Sequence, residues 1–135
     1  MIKILVATHG SLSKALKDTA SMFFGTANEI VTLSLNPEDN PIELKEKVIE
    51  KINKIYDDDG ILIFVDLFAG TPCNVSAMIM AEQLDYQIEC IAGVNLPLLM
   101  EALACKDTMN LQELKDHLMS LASDTVIDLR TYMGF

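Results

Sequence analysis

Cationic residues are scarce in this chain: 10 lysines and arginines stand against 20 aspartates and glutamates, a formal net charge of −10. Such a surface repels nucleic acid and anionic membranes, so neither is expected as a partner. A partner with a basic face would suit it. Cysteine is sparse as well. Cys73, Cys90 and Cys105 are odd in number and none share a Cys-x-x-Cys spacing, which suggests neither a disulfide framework nor a thiolate metal site. All three read as buried small hydrophobes. No apolar run approaches the ~18 residues that a membrane span needs, and the N-terminus lacks the charged, apolar and small-residue succession of a secretory signal. A soluble, cytoplasmic protein is the expectation. Also missing are the Gly-x-Ser-x-Gly elbow of serine hydrolases, a Gly-rich dinucleotide turn after the first strand and a Walker loop. No repeat, low-complexity tract or linker divides the chain.

What remains is a sequence able to build a core. Half of the 135 residues are apolar, enough for a single domain over residues 1–135 without covalent staples. The organising stretch is Met1 to Leu12. Ile2, Ile4, Leu5, Val6 and Ala7 read as a strand buried on both faces. Ser11 is placed to cap a helix carrying Leu12, Ala15, Leu16, Thr19, Ala20, Met22 and Phe23, which should end near a left-handed Gly25. His9 then lies at the carboxyl end of the first strand, beside a helix N-terminus. In open α/β sheets that rim is where ligands bind, and free N–H groups there favour an anion such as phosphate.

Ile30 to Leu35 reads as a second strand, and Asn40-Pro41 as the cap and first turn of a helix with Leu44, Val48, Ile52, Ile55 and Tyr56 inward. Asp57 to Gly60 lacks the alternating ligands of a calcium loop and reads as a turn. Ile61 to Asp66 is the most clearly buried strand, and it ends in a carboxylate. Thr71 before Pro72 predicts another helix N-terminus at the rim, followed by Val75, Met78, Ile79 and Leu84. Ile88 to Ala92 is a fourth strand, Gly93 to Pro97 a loop, and Leu98 to Leu103 a helix. Asn110 can cap a helix burying Leu111, Leu114, Leu118 and Leu121. Val126 to Leu129 is a candidate short strand.

Alternating strands and helices imply an α/β fold, a doubly wound and mainly parallel sheet. The strand order 2-1-3-4 makes strands one and three neighbours and brings His9 and Asp66 into one crevice. A neutral imidazole attacks through one nitrogen, and a carboxylate bonded to the other N–H fixes the tautomer and steadies the developing charge. Thr71 and the N–H groups of its helix could hold the oxygens of an anion attached to His9. The blander alternatives are a surface or packing role for His9, loop-amide bonding for Asp66 and plain capping for Thr71. His117, on a late amphipathic helix without comparable company, reads as a surface histidine.

Three stretches carry a family resemblance: Ala7-Thr8-His9-Gly10, Val65-Asp66-Leu67-Phe68-Ala69-Gly70-Thr71-Pro72-Cys73-Asn74, and Ala92-Gly93-Val94-Asn95-Leu96-Pro97-Leu98-Leu99. Their order and separations resemble the mannose-type EIIA domains of the bacterial sugar phosphotransferase system (PTS) over nearly the whole chain. The resemblance implies a phosphotransferase component in which His9 accepts a phosphoryl group from HPr and passes it to a IIB protein. IIB would act with the membrane components IIC and IID. It further implies that Asp66 hydrogen-bonds the imidazole and that Thr71 stands where some members have Ser. Phe68 replaces a Trp of some relatives, and Ala69 a Gly. The family dimerises by exchanging a C-terminal strand, for which Val126 to Leu129 is the candidate, and the short tail implies a separate IIB. No metal, nucleotide or other cofactor is expected. The alternatives are an EIIA-like donor subunit of a dihydroxyacetone kinase, or a regulatory phosphoprotein. A response-regulator receiver, phosphorylated on the strand-three Asp, would need an acidic pair where this chain has Thr8-His9. The transported sugar is open.

Overall fold

The computed structural model describes all of residues 1–135. Strands β1 (Lys3–His9), β2 (Val31–Leu35), β3 (Ile61–Val65) and β4 (Ile88–Ala92) form one parallel sheet in the order β2-β1-β3-β4. The connecting helices are α1 (Leu12–Ala20), α2 (Pro41–Ile55), α3 (Thr71–Glu82), α4 (Leu96–Cys105) and α5 (Leu111–Leu121), and a short α6 (Leu129–Met133) closes the chain. The expected α/β architecture and strand order are what is found.

Strand alternation explains the two layers. A parallel sheet must be covered on both faces, and every residue of β3 is buried. Leu62 and Phe64 join Ile4 and Val6 in one apolar cluster with Leu98, Leu99 and Leu103 of α4 and Leu111, Leu114 and Leu118 of α5. Ile61, Ile63 and Val65 point the other way, to Leu44, Val48 and Ile52 of α2 and Val75 and Ile79 of α3. Burying one such side chain contributes about 1.5–3 kcal/mol. That outweighs the intrinsic preferences of helices as short as the nine-residue α1, which would be marginal alone. The register Ala7↔Val65 sets the ends of β1 and β3 side by side.

Several local expectations are corrected. Ser11 precedes α1 but its side chain makes no capping bond. The buried Thr8 takes that role, its Oγ1 accepting from the Ser13 N–H at 2.8 Å. Helix α1 stops at Ala20, where Ser21 Oγ donates to the Asp18 carbonyl. Gly25 is not left-handed and opens a 3₁₀ turn, Gly25–Glu29. Met22 and Phe23, placed on the apolar face of α1, are exposed beyond its end. Helix α4 begins at Leu96 because Asn95 caps it, accepting from the Leu98 N–H at 3.0 Å. Met78 and Leu84 are exposed rather than inward. The cysteines are half-buried rather than fully buried. Residues 126–128 lie outside helix and sheet, although Val126 has extended backbone, and Leu129 starts α6 instead of ending a strand. Asn40 and Asn110 cap as expected, the latter in a reciprocal capping box with Glu113. Asp57 to Gly60 is a turn, with Gly60 at φ +89°.

Thr8 is therefore the residue that fixes the start of α1 behind the rim. Thr8→Val should leave the Ser13 N–H unpaired in a buried place and cost about 1–3 kcal/mol, whereas Thr8→Ser should retain most of that stability. Urea unfolding of the two variants measures the difference.

Candidate functional site

Strand pairing delivers the two central residues. His9 is the last residue of β1 and Asp66 follows β3 directly, so both emerge where the strand order reverses. His9 Nδ1 lies 2.9 Å from Asp66 Oδ2. The same oxygen accepts the His9 backbone N–H at 2.9 Å, and Oδ1 accepts the Leu67 N–H at 3.0 Å. Asp66 thus bonds both the neighbouring amides and the imidazole. Because a carboxylate only accepts, Nδ1 must carry the proton and Nε2 holds the lone pair. The His9 side chain is 42% exposed and Asp66 11%, an accessible imidazole beside a largely buried carboxylate.

Burial pushes the Asp66 carboxyl up. The hydrogen bonds from the His9 N–H, the His9 ring and the Leu67 N–H together win, holding it below the usual carboxylate value. It is ionised at neutral pH and able to balance a positive imidazole.

The loop after Asp66 brings the N-terminus of α3 against the ring. Gly70 is the residue that caps α3, and a Cβ built there would stand 3.0 Å from His9 Cε1, so a larger residue would push on the imidazole. Thr71 is the first residue of the helix rather than its cap. Its hydroxyl is not used for capping, and the Thr71 and Cys73 N–H groups have no acceptor within the chain. These are the donors that an anion on His9 would meet. Ala69 has φ +64°, a left-handed conformation costing a non-glycine residue about 1–2 kcal/mol. The Asn74 side chain braces it, donating to the Ala69 carbonyl at 3.2 Å. The sequence does not single out Thr8 or Gly70; Gly70 directly before Thr71-Pro72 was the available clue. His117 does have a partner: its Nε2 is 2.9 Å from Glu101 Oε1 of α4.

The depressed Asp66 value links stability to pH. A group with a lowered folded pKa stabilises fully above its unfolded value, about 3.9 for aspartate, and the contribution disappears as pH falls through the folded value. Wild type should exceed Asp66→Asn in unfolding free energy at pH 7, and the gap should close only below about pH 4. Urea titrations of both proteins from pH 7 down to pH 3 test this.

Comparison with known proteins agrees with the geometry. Residues 3–119 match the family described as "PTS system fructose IIA component". The chain is 31% identical to the fructose-specific EIIA component of Bacillus subtilis (strain 168), over 93% of its own length and 84% of that protein's. It is 32% identical to the mannose-specific EIIAB component of Escherichia coli (strain K12), over 92% of its length but only 37% of that larger protein. Among solved structures, EIIA from Streptococcus agalactiae superposes with a TM-score of 0.86 at 25% identity, covering 97% of this chain and 99% of that one. No helix here is long and apolar enough to cross a membrane. With the fold, the rim loops and these relatives in agreement, the chain belongs to the mannose/fructose/sorbose family of EIIA components of the sugar phosphotransferase system.

Proposed function

We propose that this chain is a phosphoryl carrier that receives its group on His9 Nε2 from the phosphohistidine of HPr and hands it to a IIB protein acting with IIC and IID. The observation that carries this reading is the 2.9 Å contact between His9 Nδ1 and the ionised Asp66, which leaves Nε2 as the free nucleophile. In the forward step the Nε2 lone pair forms a bond to phosphorus while the donor's N–P bond breaks, its electron pair returning to the donor imidazole. The His9 ring keeps its Nδ1 proton and gains positive charge, which Asp66 balances across the hydrogen bond. Thr71 and the first N–H groups of α3 hold the phosphoryl oxygens. Transfer to IIB runs the same exchange with this chain as donor.

Leu67 and Phe68 are exposed next to the site, apolar anchors on an acidic protein. They suit a partner that surrounds a histidine with apolar and basic residues. The dihydroxyacetone-kinase alternative shares this chemistry and differs only in the recipient. The named fructose, mannose and sorbose relatives favour a sugar IIB.

Homodimer formation is part of the proposal. The far edge of β4 has no neighbouring strand, and Val126, Ile127, Leu129, Tyr132, Met133 and Phe135 are exposed at the end of the chain. An open edge and an apolar, partly extended tail are complementary in a second copy. Truncation from Asp124 onward should convert the dimer to a monomer in analytical ultracentrifugation. A folded truncated dimer of unchanged affinity would rule out strand exchange.

Labelled phosphoenolpyruvate with purified enzyme I and HPr tests the carrier itself. His9→Ala should incorporate no label, and the wild-type linkage should be acid-labile and base-stable. Asp66→Asn should stay folded by circular dichroism yet transfer about 10²- to 10⁴-fold more slowly. Label retained by His9→Ala and absent from Asp66→Asn would instead mean that the aspartate is the acceptor.

A further inference from the structure

Away from the phosphoryl site, three side chains with different metal-binding chemistry meet where α4 packs on α5. Glu101 and Cys105 are one helical turn apart on α4 and share a face. His117 reaches them from α5. Glu101 Oε1 lies 2.9 Å from His117 Nε2 and accepts from Cys105 Sγ at 3.3 Å. One carboxylate oxygen, the thiol sulfur and one imidazole nitrogen all fall within 4.8 Å of one another. We propose that Glu101, Cys105 and His117 form a binding site for a zinc-class divalent transition metal, bridging α4 and α5.

The spacing suits such an ion. Tetrahedral zinc, with bonds of about 2.0 Å to oxygen and nitrogen and about 2.3 Å to sulfur, sets its ligand atoms roughly 3.3–3.6 Å apart. Glu101 Oε1 lies 2.9 Å from His117 Nε2 and 3.3 Å from Cys105 Sγ, close to that range, and the sulfur and imidazole nitrogen lie within 4.8 Å of each other, so side-chain rotations about the shared carboxylate oxygen make room for the ion. Charge balances too: a carboxylate and a thiolate neutralise a divalent cation, and the imidazole binds uncharged. On binding, the Cys105 thiol proton goes to solvent, and the imidazole proton resides on Nδ1, freeing Nε2. Sulfur and nitrogen donors disfavour calcium and magnesium, which take oxygen ligands. His117 is 30% and Glu101 38% exposed, which gives the ion an entry path and a water a place as fourth ligand. The ion would fasten α4, whose N-terminal cap Asn95 also donates to Thr125 Oγ1 at the start of the C-terminal segment. The site is independent of the phosphoryl reading, since it shares no residue with it.

Titration of the chelator-stripped full chain with Co²⁺ tests the proposal. A single ion should bind, with a sulfur-to-cobalt charge-transfer band and the visible bands of a tetrahedral site, and Zn²⁺ should bleach both. Cys105→Ser should lose the charge-transfer band. Glu101→Gln and His117→Gln, each with the thiol intact, should bind at least about 10-fold more weakly. His9→Ala should show the wild-type spectrum, which separates this site from the other histidine. The proposal is overturned if the wild type lacks the sulfur band, if the band survives Cys105→Ser, if His117→Gln binds with unchanged affinity, or if His9→Ala loses the spectrum.

Discussion

The Asp66 carboxylate ties the ends of two neighbouring strands together and, with the same oxygen, sets the tautomer of the residue that ends one of them. Both contacts require β1 and β3 to be adjacent, and they are adjacent only because the chain reverses its winding there. The alternating burial of Leu62 and Phe64 against Ile61, Ile63 and Val65 fixes which side chains face which helix layer. A slip of one residue would exchange the two faces of the strand and bring the wrong residues to the rim. The chemistry at His9 therefore depends on the packing of a core several residues below it.

The rim combines rigid and strained parts. Thr8 is buried and bonds the first turn of α1, so the residue before His9 is held from below. On the other side, Gly70 lets the start of α3 approach the ring closely, and Ala69 takes a left-handed conformation held by Asn74. The backbone strain at Ala69 is thus held by its neighbours in the loop. The Thr71 and Cys73 N–H groups are left free, and Leu67 and Phe68 are exposed beside them.

The two halves of the sheet differ in what they leave open. Around β1 and β3, Asp66 bonds the His9 ring and the His9 and Leu67 amides. Beyond β4 the sheet edge is bare, the tail is apolar and exposed, and α4 and α5 carry the Glu101, Cys105 and His117 cluster.

Periodicity and punctuation in the sequence were enough to determine the four strands, the caps at Asn40 and Asn110 and the placing of His9 and Asp66 at strand ends, because these depend on contacts within a few residues. The three rim motifs also made the family legible. Other features depend on burial and packing that periodicity does not show. Thr8 displaced Ser11 as the bonding partner of α1 because its hydroxyl is directed into a buried turn, which no local pattern reports. Helix α1 stops at Ala20 instead of reaching Gly25, and Phe24 beyond it turns back to pack against the core. The cysteines show the difference most plainly. Their spacing along the chain contains no metal motif, yet Cys105 stands beside a carboxylate one turn earlier and a histidine from the next helix. Sequence alone determined which elements form and which ends of them carry chemistry. Only tertiary structure decided which distant side chains meet, because those distances are set by how helices pack on the sheet and not by the order of residues.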